Sequence, residues 1–599
     1  MKKSLLYYHY AFRNCNYVSL PTYDLIFSLR QQGIILLFLV FPRLRRGKTK
    51  ALNRYPELKN RMLFEKTTSC YERVIVSMQI KNPVLKGFHP DPSFLRVDGD
   101  YYIATSTFEW FPGVCINHSK DLVNWEIVAY ALTDERDLDL TGVDTSCGIW
   151  APNLTYCDGF FYLLYTIVYT DRRRYKDTYN YLVTAKDVKG PWSKPVFLNC
   201  SGFDPSLFHE GGKKYIVNMV MDHRVQQECF AGIDVQEYDA QAEKLVGTPV
   251  RITYGTAKRV TEGPNIFKKG DYYYLTLAEG GTLYNHCTTI LRSKVLFGPY
   301  EENPNNPILT SVGQEDCLLE RAGHSQIIQG HDGHWYMAHL CARPVEKCSI
   351  LGRESGIQNI EWTNDGWPRL SSNRSGKPEI MFSVPTETAQ NRDISERVDF
   401  RDGKIPLSYM TLRRSFQTNG IKIVNNTLRI TGGASVMSKY RQALIARCQQ
   451  SFLCDFCVAM KFHPRHVNHL AGLLVYYNCD NNYYLKMSRD EKGEFLNVIT
   501  TVNRELNDSN PVYISSPVEV IYLKAEIRRE NLHFSYSLDG DQYTPIGVEM
   551  DMKNISDERV DGNGFTGSML GVNCCDLQGD GAFAEFISFD YREYDLNNS

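Results

Sequence analysis

The sequence predicts an all-β protein: a five-bladed β-propeller followed by a C-terminal β-sandwich of jelly-roll-like type. Three observations predict it. One phrase recurs five times, its copies stand at blade-like spacing, and beyond a polar connection the strand pattern continues without the phrase. The phrase is a polar residue with Pro, a short apolar stretch, a Gly-containing turn, and paired aromatics entering a strand.

The first copy is Asp91-Pro92-Ser93-Phe94 with Gly99 and Tyr101-Tyr102, and the second is Ala151-Pro152-Asn153-Leu154 with Gly159 and Phe160-Phe161-Tyr162. Asp204-Pro205-Ser206-Leu207 with Gly211-Gly212 and Tyr215 makes the third, and Glu262-Gly263-Pro264-Asn265-Ile266 with Gly270 and Tyr272-Tyr273-Tyr274 the fourth. The fifth is Gly323-His324-Ser325-Gln326-Ile327 with Gly333 and Trp335-Tyr336. The anchors Pro92, Pro152, Pro205, Pro264 and His324 are 60, 53, 59 and 60 residues apart, room for four short strands and their turns. Because the phrase opens each unit, its equivalent positions are expected to converge on the propeller axis. Three carboxylates, Asp91, Asp204 and Glu262, stand at or next to the leading slot, and His324 holds the leading Pro position of the fifth copy. One Asp before Pro is an ordinary turn former; three carboxylates around a ring point to chemistry.

From about Ser371 to Glu396 the chain turns polar, with Pro378 and Pro385, as an interdomain connection does. Strands return beyond it. Phe534, Tyr536 and Leu538 alternate with Ser535 and Ser537, and Ile587, Phe589 and Tyr591 alternate with Ser588 and Asp590, the pattern of half-buried antiparallel strands in a sandwich.

The charge is unevenly spread. The 599 residues sum to -2, but residues 1 to 77 carry 14 Lys+Arg against 4 Asp+Glu, which leaves the remainder at -12. That acidic body offers nothing to nucleic acid or to an anionic membrane surface. The leader's one strong apolar run, Ile34 to Phe41, is too short to span a bilayer as a helix, which takes about 20 residues. It is also badly placed for a secretory signal, since 33 residues precede it and Arg43, Arg45 and Arg46 follow. The expected organisation is a basic extension over 1–77 outside the folded protein, a propeller over 78–385 and a sandwich over 396–599. The 17 cysteines are scattered without a regular spacing, which predicts free thiols in a reducing cytoplasm. Cys574-Cys575 is expected to be buried strand packing.

Further stretches carry a family resemblance: Asn82-Pro83-Val84-Leu85-Lys86-Gly87-Phe88-His89-Pro90-Asp91-Pro92-Ser93, Thr105-Ser106-Thr107-Phe108-Glu109-Trp110-Phe111-Pro112-Gly113, Gly148-Ile149-Trp150-Ala151-Pro152, Gly202-Phe203-Asp204-Pro205, Thr261-Glu262-Gly263-Pro264 and Leu351-Gly352-Arg353-Glu354. Residues 80 to 599 resemble a β-xylosidase of glycoside hydrolase family 43. The resemblance implies Asp91 as general base, Glu262 as general acid and Asp204 as the carboxylate that tunes the acid. It implies Phe108, Trp150 and Phe203 as walls of the non-reducing-end subsite, Arg353 as a ligand of sugar hydroxyls, and Phe565, in Gly564-Phe565-Thr566-Gly567, as a cap on the active-site mouth. His324 is implied either to position the central carboxylates or to contact an axial calcium. No cofactor is required, no catalytic metal is expected, and a structural calcium is compatible. The implied partner is a xylooligosaccharide, and a homo-oligomer is compatible.

The reaction implied is inverting, exo-acting release of xylose from 1,4-β-xylooligosaccharides, with α-L-arabinofuranosides as a second substrate class. An inverting glycosidase pairs one carboxylate that activates water with a protonated one that serves the leaving oxygen, and a third negative charge keeps the acid protonated near neutrality. The alternatives are a mainly arabinofuran-directed enzyme and, more remotely, a non-catalytic carbohydrate-binding propeller, which would not need all three carboxylates. A fructan-cleaving enzyme would carry Arg-Asp-Pro where this chain has Phe203-Asp204-Pro205. Two departures stand out: Asn153 replaces a common Asp, with an effect expected on local hydrogen bonding, and the connection from Pro344 to Leu351 is short, which bears on its contacts at any neighbouring subunit.

Overall fold

The computed structural model describes residues 15–18, 26–31, 34–39, 76–172, 174–386, 395–515, 518–562 and 564–594. Five antiparallel sheets open with the strands Ser93–Val97, Gly148–Cys157, Ser206–Glu210, Glu262–Lys269 and Glu320–Gln329. Each sheet runs outward in sequence order through four strands, and the fourth sheet gains a fifth, Leu309–Thr310. Each of the five phrases begins one blade. Second strands such as Tyr272–Glu279 are buried on both faces because a neighbouring blade packs on each side, and their aromatic and apolar residues suit that setting. The first hairpins of blades 1 to 4 close on two-residue turns, that of blade 5 on a five-residue loop, and at Asp158-Gly159 both residues have positive φ (52° and 80°), the primed-turn geometry that matches strand twist.

The ring is stitched by one hydrogen bond between each pair of neighbouring blades, four of the five joining phrase positions. Leu154 N–H donates to Ser93 Oγ (2.8 Å), Leu207 N–H to Asn153 Oδ1 (2.9 Å), Gly263 N–H to Asp204 Oδ2 (2.9 Å), Thr276 Oγ1 to Ser325 O (3.1 Å), and Phe94 N–H to Gln326 Oε1 (2.8 Å). The last bond closes blade 5 onto blade 1. The amide oxygen of Asn153 holds the second blade to the third, a bond that an Asp carboxylate would accept equally well.

Backbone angles correct one sequence alignment. Positive φ recurs at Asp91 (55°), Ala151 (32°), Asp204 (54°), Gly263 (56°) and His324 (47°). His324 therefore occupies the slot of Asp91 and Asp204, and Ser325 takes the Pro place. The fifth copy has no Pro to mark the register, which displaced the reading by one residue. Four of these five residues carry a Cβ in a region that costs energy outside glycine, so the ring stores strain where its polar groups converge.

The sandwich consists of an eight-stranded and a nine-stranded antiparallel sheet. Ile521–Arg528 alternates strictly between buried and half-buried residues. Elsewhere the predicted alternation is interrupted. Phe589 and Tyr591 face the core, but Ile587 sits at a register shift opposite Ala459/Met460, so the inward phase passes to Phe586 and Ala584 on its other side. In Asn531–Ser537 Phe534 is buried, yet Ser535 and Ser537 are buried too, and Leu538 lies exposed beyond the strand. Cys574 and Cys575 are both buried in Met569–Asp576.

One strand of the nine comes from the propeller. Trp110–Phe111, in blade 1's connection, pairs with Tyr409–Leu412 through Trp110↔Leu412 and Phe111↔Thr411. Trp110 is fully buried, edge-on to Tyr476 (5.9 Å). The short connection after Pro344 also turns inward to the sandwich: Ile350 O accepts from Ser568 N–H (3.0 Å), and Ser349 N–H and Oγ donate to Glu558 (2.6 and 2.8 Å).

A separate unit comprises the N-terminal segment with Met381–Asn391. In it Cys15–Val18, Ile26–Gln31 and Ile34–Leu39 form a three-stranded meander, and Val76–Lys81 pairs with Met381–Thr386. Among the described residues no helix is long and apolar enough to cross a membrane.

Candidate active site

All nine residues expected at the site line one cavity at the phrase ends of the blades: Asp91, Asp204, Glu262, Phe108, Trp150, Phe203, His324, Arg353 and Phe565. Lys176, Thr282 and His286 line it as well. These three were missed because they lie outside the phrase, Lys176 on the third strand of blade 2 and the other two in the blade 4 loop before Cys287–Ser293.

Asp91 is buried yet charged. Burial pushes its carboxyl upward, but Arg353, His324 and the Ser106 hydroxyl together outweigh that and hold it below the ordinary range. Ser106 Oγ donates to Asp91 Oδ2 (2.7 Å), Arg353 Nη1 donates to Oδ1 (3.0 Å), and His324 Nδ1 stands 3.8 Å from the same oxygen. Ser106 Oγ also accepts from Ala151 N–H (2.7 Å), which ties the carboxylate to blade 2.

Asp204 and Glu262 form a tightly interacting pair pushed the other way. Burial, then the negative charges of Glu262 and Asp91, raise Asp204 well above the carboxylate range. Burial also lifts Glu262, to about 7, with Lys176 and Arg353 opposing and Asp91 and Asp171 adding to the rise. The pair therefore retains a proton near neutrality. The Gly263 N–H on Asp204 Oδ2 favours charge on Asp204 and opposes that carboxyl's rise without outweighing it.

Around the carboxylates stands an aromatic cage. Trp150 meets Phe203 edge-on (5.5 Å) and Phe565 edge-on (5.7 Å), while Phe108 is tilted against Trp150 (5.9 Å) and Phe565 (6.2 Å). Lys176 Nζ lies 5.2 Å from the Trp150 ring centre and pairs with Asp171 (2.6 Å). Phe565 comes from the sandwich. Its carbonyl accepts from Arg353 Nε (3.2 Å), and the guanidinium lies 5.3 Å from its ring. The preceding Gly352 has φ +76°, and a Cβ there would stand 1.8 Å from Thr566 O, so only glycine lets the cap loop this close.

The donor set at the axis does not suit calcium, which takes six to eight oxygen ligands. Asp91 is flanked there by an imidazole and a guanidinium, and burial lowers the imidazole of His286 to about 3. His324 stands instead where it can position Asp91. Among the described residues one group could gather a cation, His469, Asp576 and Asp580 in the sandwich. Its bonding argues otherwise. Asp576 already accepts four backbone N–H groups, from Gln578, Gly579, Gly581 and Ala582, and His469 Nδ1 accepts from Arg465 N–H, which puts the ring proton on Nε2, 3.0 Å from Asp580.

This arrangement, one carboxylate kept charged beside a pair that keeps a proton, inside an aromatic cage, is suited to acid–base cleavage of a glycosidic bond. Residues 80–368 match the model of Glycosyl hydrolases family 43, and residues 397–592 that of the Beta xylosidase C-terminal Concanavalin A-like domain. A Beta-xylosidase of Bacillus subtilis is 41% identical over 533 residues, covering 86% of this chain and 100% of the relative. A Xylan 1,3-beta-xylosidase of a Vibrio species is 40% identical over 535 residues, covering 86% and 99%. The crystal structure of xylan beta-1,4-xylosidase from Bacillus halodurans C-125 superposes with a TM-score of 0.83 at 42% identity, covering 86% of this chain and 100% of that one. With both domains matched and the carboxylates gathered on the axis, the chain belongs to glycoside hydrolase family 43.

Proposed function

We propose that the protein is an inverting, exo-acting β-xylosidase that releases xylose from the non-reducing end of 1,4-β-xylooligosaccharides. The observation that carries this reading is the division of charge among the three carboxylates in a cavity walled on one side by Phe565. Asp91, ionised, takes a proton from water as it attacks the anomeric carbon; Glu262 gives its proton to the leaving oxygen; Asp204 keeps Glu262 protonated. Arg353 and His324 orient Asp91 and reach the sugar hydroxyls, while Phe108, Trp150 and Phe203 pack on the sugar's C–H faces. The cap leaves room for one sugar before the cut, which favours action at chain ends. An α-L-arabinofuranoside presents similar hydroxyls to the same subsite and forms the second substrate class. The carboxylates and water complete this chemistry without a cofactor.

Incubation with xylobiose, 4-nitrophenyl β-xyloside and 4-nitrophenyl α-arabinofuranoside, followed by proton NMR, is expected to show α-xylose as the first-formed sugar from the xylosides. β-Xylose appearing first would overturn the inverting mechanism, and an inert xylobiose would overturn the substrate.

The fifteen described free cysteines, most of them buried in the two domains, support a cytoplasmic site of action. We assign residues 1–77 no part in catalysis, with the propeller over 78–385 and the sandwich over 396–599, although the two ends of the propeller span, 78–81 and 381–385, pair with each other in the separate unit and not in a blade. A chain beginning at Met78 is expected to match the full chain in kcat/KM on xylobiose, and a loss of activity would give the leader a role.

A further inference from the structure

Ser146 precedes the first strand of blade 2 and does not line the cavity, yet its three polar groups each hold a different piece of the cage. Its N–H donates to Glu109 Oε2 (3.1 Å), and Glu109 directly follows Phe108. Its carbonyl accepts the indole N–H of Trp150 (3.1 Å). Its hydroxyl accepts the backbone N–H of Phe565 (3.2 Å). One residue thus ties together the neighbour of one wall, a second wall, and the sandwich's cap. Ser146 is 1% exposed and has φ +59°, a conformation that a Cβ-bearing residue adopts at a cost, so the surrounding bonds hold it there. Glu109, 1% exposed, is fixed in turn: Arg413 N–H donates to its carbonyl (2.9 Å), and the Arg413 side chain donates to Val143 O (2.8 Å) and Gln442 Oε1 (3.1 Å).

We infer that Ser146 is a positioning residue that sets the separation between the Phe565 cap and the Trp150 wall, and so the fit of the non-reducing-end sugar. The Phe565 peptide has two anchors, Ser146 on its N–H and Arg353 on its C=O. Losing the first leaves the cap attached but free to pivot on the second. The Arg353–Asp91 pair is untouched by that loss, so binding suffers and the chemical step does not. This inference rests on reading the cavity as the sugar subsite of a β-xylosidase.

The test is Ser146→Ala in the full chain, with Ser146→Gly beside it because glycine accepts the left-handed backbone without strain. Both remove the hydroxyl and keep the two backbone bonds. KM for xylobiose and the inhibition constant for xylose are expected to rise together by about three- to tenfold, the effect of one neutral hydrogen bond, with kcat within about twofold of the parent. In a Phe565→Ala background, which itself raises KM, the same substitutions are expected to change KM by less than about twofold, because no ring remains to be placed. An unchanged KM, a fall in kcat alone, or an equal rise in KM in the Phe565→Ala background would overturn the assignment. A parent enzyme inert on xylobiose would instead refute the proposed function, so the two failures are distinct.

Discussion

Glu262→Ala is expected to lower kcat on xylobiose by about 10²–10⁴-fold, the usual contribution of a general acid, or about 2.7–5.4 kcal/mol of barrier. The same variant should lose far less on 4-nitrophenyl β-xyloside. A departing xylose hydroxyl is too basic to leave without a proton, whereas 4-nitrophenolate leaves as the anion. Asp91→Ala is expected to lose by a comparable factor on both substrates, because water must be activated whatever leaves. Steady-state rates of the two variants on the two substrates therefore separate the roles. If Asp91→Ala proved to be the leaving-group-sensitive variant, the assignments of acid and base would be exchanged.

Replacing Asp204 by Asn should move the pH profile as well as lower turnover. Activity needs Asp91 ionised and a proton on the Asp204/Glu262 pair. Asp91 is held below the ordinary carboxylate range, so its requirement is met at all but acidic pH. Burial raises both members of the pair, Asp204 well above its ordinary range and Glu262 to about 7, so the pair holds a proton near neutrality, and the loss of that proton as pH rises sets the basic limb of kcat/KM. With Asp204 as the ionised member of the pair, as the proposed mechanism has it, Asp204→Asn removes a negative neighbour, which lowers the pKa of Glu262 and carries the basic limb to lower pH while the acidic limb stays in place. Profiles of kcat/KM from about pH 4 to about pH 9 for parent and variant would show this, the limb being a property of the pair. A basic limb that stays fixed, or moves upward, would remove Asp204 from the tuning role.

Much of the propeller was legible because each blade opens with the same phrase, and the physical reason for the repetition is the shared task of its first residues at the axis. Where the phrase lost its Pro, at His324-Ser325, the register slipped by one residue, and only the backbone angle restored it. Lys176 carried no sequence signal: a lysine on a strand rich in tyrosine reads as a solvated face, yet the fold sets it over Trp150 and against Asp171. Ser146 and Glu109 were hidden for a related reason, since they act through other residues and never face the cavity. In the sandwich, alternation identified strands but not their phase. A bulge at Ile587 reverses which residues point inward, and no local pattern announces a bulge.

The strand Trp110–Phe111 makes the division into two domains a feature of the sequence more than of the hydrogen bonding. A propeller expressed alone would display that segment with its pairing groups bare, a template for another chain, and the sandwich alone would end its nine-stranded sheet one rung short at Tyr409–Leu412. Because the rung is shared, the wall that Phe565 adds to the cavity is tied to the pairing of both domains, and loosening that pairing would disturb the cavity from a distance.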